Sequence, residues 1–182
     1  MGRVERLEQY PTTQKQRDFE WDFTQGVERY ETWDEIEIGR SGVGARTFPV
    51  LEEDIVSFNL ASLETDPMLV DPAHAAQHGG LVQHPLFVVQ VAFYCIDTGI
   101  GSWIRSPGAR NPGQSIEILE PFEVGEEITA TITHVDKWIR RGNHYMEDRV
   151  DFANQDGVAK ATWLVRLFLP PTRAELTRLA NP

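Results

Sequence analysis

Strict alternation of apolar and polar residues runs through the last third of the chain. "QSIEILEPF", "EEITATITHVDKWI", "HYMEDRVDFAN" and "VAKATWLVRLFL" each predict a β-strand, with "NQDG" as the hairpin turn between the last two. Before them lies "HPLFVVQVAFYCIDTGIGSWI", which is apolar on nearly every side. A segment of that length and character predicts a helix over residues 85–104 that lies inside something. Further upstream, "ARTFPV" reads as a strand ending in a turn. "LEEDIVSFNLASL" then predicts a helix with Leu51, Ile55, Phe58 and Leu63 as its apolar positions. The acids in its first turn suit the positive end of the helix dipole. "DPAHAAQHG" predicts a short helix with Asp71 as N-cap, Pro72 at the first helical position and glycine as the stop.

"FEWDF" and "YETWDEIEIG" have aromatic, alternating character and suggest short strands or an extended arm. The first fifteen residues carry few apolar groups and no period, as in an arm that is flexible or draped over a partner. The fold class is therefore α+β, with one long apolar helix covered by an antiparallel sheet. The expected divisions are an arm over 1–39, the domain over 40–172 and a tail over 173–182.

Composition narrows the chemistry. The formal net charge of −11 over 182 residues disfavours nucleic acid and anionic membrane as partners. The single Cys95 excludes an intrachain disulfide and a cysteine metal cluster, and its apolar surroundings predict a buried, inert thiol. No opening stretch reads as a signal peptide, and the longest apolar run is too short to span a membrane. A cytoplasmic protein is the expectation. No P-loop, nucleophile elbow or dinucleotide fingerprint is present. His74 and His78 have the spacing of a metal pair, but no third ligand is placed to complete it, so no metal is expected. His134 and His144 are expected to be exposed. One basic cluster, Lys137, Arg140 and Arg141, stands out against the acidic remainder.

Several motifs in this order resemble the MaoC-like hydratase/dehydratase family of the hot-dog fold. "PVLEEDIVSFNLAS" is similar to the helix before that family's active loop. The family motif G-D-x-N-P-x-H, followed by five residues and a small one, is matched by Glu64-Thr65-Asp66-Pro67-Met68-Leu69 and then Ala75. "HGGLVQHPLF", "PFEVGEEITATITHV" and "NQDGVAKATWLVRL" resemble the family's segments into the central helix, its strand pair and its final hairpin. The resemblance covers roughly residues 40–170. "KWIRRGNHYMEDRVDFANQDG" and the altered loop point to the dehydratase N-terminal type, in which one hot-dog unit often lacks the catalytic pair.

This resemblance implies hydration of an enoyl thioester or dehydration of a 3-hydroxyacyl thioester. The family divides proton transfer between an aspartate and a histidine, and backbone N–H groups at the start of the central helix hold the thioester oxygen. Here the aspartate position carries Glu64, one methylene longer, and the histidine position carries Leu69, which cannot move a proton. The expected arrangement is a subunit paired with a catalytically complete hot-dog partner. Alternatives are a self-sufficient homodimer using Glu64 and His84, or a non-catalytic subunit that only binds an acyl thioester. Lys137, Arg140, Arg141 and Gly80 are the candidate contacts for coenzyme A or an acyl-carrier arm. That group enters as part of the substrate, with no separate cofactor.

Overall fold

A computed structural model describes residues 13–17, 26–96 and 99–181. Contacts between Cα atoms divide the chain into two compact units. The loop unit contains residues 13–17 and Leu51–His84; the sheet unit contains residues 26–50, 85–96 and 99–181.

In the sheet unit, β1 (Ser41–Val43), β2 (Phe48–Pro49), β3 (Arg110–Ile118), β4 (Glu127–Arg140), β5 (Asn143–Ala153) and β6 (Ala159–Phe168) form one antiparallel sheet. Its order is β1-β4-β5-β6-β3, with β2 also pairing with β4. The alternation that predicted these strands sets their inward rows. Ile128, Ala130 and Ile132 of β4, Met146, Val150 and Phe152 of β5, and Trp163 and Val165 of β6 are all buried. The β4–β5 hairpin closes through Arg141 and Gly142, at φ 52° and 76°. Two positive φ values suit the twist of a two-residue hairpin, and glycine takes the second without strain. "NQDG" turns as expected, with Asn154 Oδ1 accepting from the backbone of Asp156 and Val158.

The apolar helix of the sheet unit, Phe87–Cys95, contacts β2, β4 and β6 and buries Phe87, Val88, Val91, Ala92 and Cys95. It is shorter than residues 85–104. Ile96 is extended, and Gly99 and Gly101 take φ values of 77° and 80° that end any helix. The Cys95 carbonyl accepts from Arg46 N instead of from a further helical turn. Gly44 makes that approach possible, since a Cβ there would sit 2.8 Å from the Cys95 oxygen. A 3₁₀ turn at Ser102–Arg105 then buries Trp103. The thiol of Cys95 is fully buried and faces the Ile128 carbonyl, as expected.

Two other expectations change. "YETWDEIEIG" forms a 3₁₀ turn at Trp33–Glu35 in place of a strand. Its backbone donates to the carbonyls of Pro170 and Pro171, and the Trp33 indole donates to the Tyr145 carbonyl. "FEWDF" lies outside the described residues. Within residues 173–182, Arg173–Ala180 is a helix capped by Thr172, with Leu176 buried. Among the described residues, no helix is long and apolar enough to cross a membrane.

The loop unit contains α1 (Glu52–Ala61), α2 (Pro67–Val70) and α3 (Pro72–Ala76). The buried face of α1 is Asp54, Ile55 and Asn59, whereas Leu51 and Leu63 are 44% and 87% exposed. The apolar reading of these two leucines fails because both stand outside the helix: Leu51 is the N-cap and Leu63 follows the C-cap. Asp54 can lie inside because Lys15, on a helical turn at Gln14–Arg17, pairs with it.

Leu63 carries φ 63° at the residue that turns the chain out of α1. Left-handed backbone costs an L residue about 1–2 kcal/mol, and glycine gives back part of that gain through its freer unfolded chain. The Leu63→Gly variant is therefore expected to gain up to about 1 kcal/mol of stability. Denaturant titration checks this; a loss of stability would show that the exposed leucine does more than tolerate the turn.

Candidate active site

The loop between α1 and α3 is built from capping groups. Ser62 N and Glu64 N both donate to the Asn59 carbonyl at 3.1 Å, which terminates α1 and fixes where Glu64 leaves it. Asp66 then caps α2 by accepting from Met68 N, and Asp71 caps α3 by accepting from Ala73 N and His74 N. Asp71 is the N-cap that the sequence predicts, and Asp66 plays the same part for α2. Pro67 and Pro72 follow them at helix N-termini, where a missing N–H is no loss.

Asn59 is fully buried and ties α1 to two other segments of this unit. Its Nδ2 donates to the carbonyls of Leu69 at 2.7 Å and Val82 at 2.8 Å. Its Oδ1 accepts from His84 N at 2.8 Å. These bonds bring together residues far apart in sequence. Glu64 Oε1 lies 3.8 Å from His84 Nε2. The two side chains are 34% and 22% exposed, so solvent reaches both. At that spacing a single water molecule can contact carboxylate and imidazole together. The Phe58 ring lies beside His84, with ring centroids 5.8 Å apart. A carboxylate and an imidazole around one water can remove a proton from one oxygen and deliver a proton to a nearby carbon. Leu69 contributes its carbonyl to the Asn59 clamp and no titratable group.

His74 and His78 stack with centroids 4.3 Å apart, and among the described residues no group of three His, Cys, Asp or Glu could hold a metal. Gly80 has φ 109°, with open space where a Cβ would stand. Lys137 donates to the carbonyls of Trp33 and Ile36 and lies over the Trp33 ring. Arg140 and Arg141 are exposed at the β4–β5 turn.

His134 is not exposed; it is fully buried in the sheet unit. Nδ1 lies 2.7 Å from Asp148 Oδ1 and Nε2 lies 3.3 Å from Glu31 Oε1. Trp103 Nε1 donates to Asp148 Oδ2 at 2.6 Å. Gly101 N and Arg40 donate to the two oxygens of Glu31. The signal for His134 was present in the alternation. It continues the inward row of Ile128, Ala130 and Ile132, and the β4 bulge falls only after it. Asp148 is its register partner on β5, in phase with Met146 and Val150. No pattern in "YETWDEIEIG" marked Glu31 as the second carboxylate.

No family model matches the chain. An (R)-specific enoyl-CoA hydratase of Rhodospirillum rubrum is 28% identical over 106 residues, spanning 56% of this chain and 67% of that protein. Among solved structures, a MaoC-like dehydratase from the same organism superposes with a TM-score of 0.63 at 16% identity, over 76% of this chain and 96% of the other. A chain of the HadBC (3R)-hydroxyacyl-ACP dehydratase complex from Mycobacterium tuberculosis gives 0.60 at 21% identity, over 72% and 96%. The fold is thus the hot-dog fold of these proteins.

The His134 network links stability to pH. Burial alone would pull the imidazole pKa down, but the hydrogen bonds to Asp148 and Glu31 outweigh it and raise the value from 6.5 to about 9. Each ring nitrogen faces a carboxylate, so the ring is an imidazolium donating on both sides. The resulting stabilisation is complete below the unfolded value near 6.5 and is lost as pH rises through about 9. Thermal unfolding between pH 7 and 10 should show this loss, and His134→Gln should lack it. Equal slopes in the two proteins would contradict the assignment.

Proposed function

We propose that this chain, a member of the MaoC-like hot-dog family, is an acyl-thioester hydratase/dehydratase subunit in which Glu64 and His84 handle the protons. The observation that carries this reading is the 3.8 Å approach of Glu64 Oε1 to His84 Nε2. In the hydration direction, one of the pair takes a proton from water as its oxygen bonds to the β-carbon of an enoyl thioester. The double-bond electrons move towards the thioester carbonyl, and the α-carbon then receives a proton. Dehydration is the same sequence reversed. Atoms balance with water as the co-reactant.

Glu64 reaches one methylene further than an aspartate, and His84 approaches from the segment after α3. The pair thereby supplies the carboxylate and imidazole although Leu69 occupies the motif's histidine position.

A second reading is favoured by Leu69 itself and by the heteromeric assembly of one structural relative. In it the chain pairs with another hot-dog subunit that brings its own catalytic pair.

Hydration of crotonyl-CoA, followed by loss of enoyl-thioester absorbance, separates the readings. The purified chain should turn over, and Glu64→Gln and His84→Gln should each lower kcat by about a hundredfold or more. Wild-type silence alone, with activity on co-purification with a second hot-dog chain and no effect of Glu64→Gln, would replace the first reading by the second.

A further inference from the structure

Asn59 touches both members of the Glu64–His84 pair through their backbones, and the inference drawn from it deepens the preceding reading. Its own carbonyl accepts from Glu64 N, and its side-chain oxygen accepts from His84 N. Its amide nitrogen spends both protons on the Leu69 and Val82 carbonyls. Asparagine is a poor choice for a helix interior on propensity alone, because its side chain competes for backbone groups. Here the side chain bonds to backbone from two other segments, and it is fully buried while doing so.

The residue type is constrained by this bonding. Aspartate would keep the acceptor for His84 N and lose both donors. Leucine would match the volume and leave two carbonyls and one N–H without the bonds they now make. Glutamine would add a methylene and push the 82–84 segment outward. We propose that Asn59 is the positioning residue that sets the distance between Glu64 and His84. It touches neither substrate nor the reacting atoms. It acts by holding Val82 and His84 on one side and the start of the Glu64 loop on the other. Misplacement by about 1 Å is enough to cost on the order of a hundredfold in rate.

The test compares Asn59→Ala, Asn59→Asp, Glu64→Gln and the Asn59→Ala/Glu64→Gln double variant. All are assayed with crotonyl-CoA under the conditions in which wild type turns over, at a temperature where circular dichroism shows each to be folded. Asn59→Ala should lower kcat by about a hundredfold while KM stays within about threefold. Asn59→Asp should fall between it and wild type. Because Asn59 acts through the pair, the double variant should be no slower than Glu64→Gln alone, whereas independent effects would multiply. Should Asn59→Ala fail to fold, Asn59→Asp takes its place in the same comparison. Wild-type kcat in a folded Asn59 variant, or multiplied losses in the double variant, overturns this inference and leaves the Glu64–His84 reading standing. Full activity in Glu64→Gln overturns both.

Discussion

The hydrogen bonds of one buried carboxamide are the constraint on which the loop after α1 rests. An amide shut away from water costs free energy unless its donors and acceptor are matched, and Asn59 meets that demand with backbone from two separate segments. The loop could not relax its path past α2 and α3 without stranding those groups. Capping by Asp66 and Asp71 completes the same logic at the exposed end, where each short helix receives the acceptor that its first turn needs. The backbones of Glu64 and His84 are thus both bonded to one buried polar residue.

In the sheet unit the corresponding group is charged. Two carboxylates enclose one imidazolium, and Arg40 brings a second positive charge to Glu31. Formal charges cancel across the four groups. Burial of His134, Asp148 and Glu31 is tolerable because each contact among them is also a hydrogen bond, and Arg40 reaches Glu31 from the exposed side. The network ties the Trp33–Glu35 region, the turn after the apolar helix and the β4–β5 hairpin to a common point. The three are distant in sequence and share no apolar pattern.

Much of this was legible along the chain, and the limits have physical causes. The long strands announce themselves by period-two alternation, because one face of each is buried. The same alternation placed His134 inside, but a histidine in that row is easily read by its polarity instead of its phase. The apolar helix was over-extended because a run of apolar residues carries no mark for the point where a carbonyl is captured from outside, as Cys95 is by Arg46. Leu51 and Leu63 were misassigned since a helical period does not say which residues are caps. The Glu64–His84 approach was reachable only as one of two alternatives, because nineteen residues of loop and short helix separate them. Asn59 gave a faint signal: it stands one turn after Ile55, on the face where an apolar residue belongs.

The indole of Trp103 donates to the same Asp148 carboxylate that faces His134, and its ring lies 6.2 Å from that of Trp163. A fluorophore is thus wired into the buried charge set. The electric field at that indole depends on the charge of its partner, so one of the five tryptophans is coupled to the proton that His134 shares with the two carboxylates.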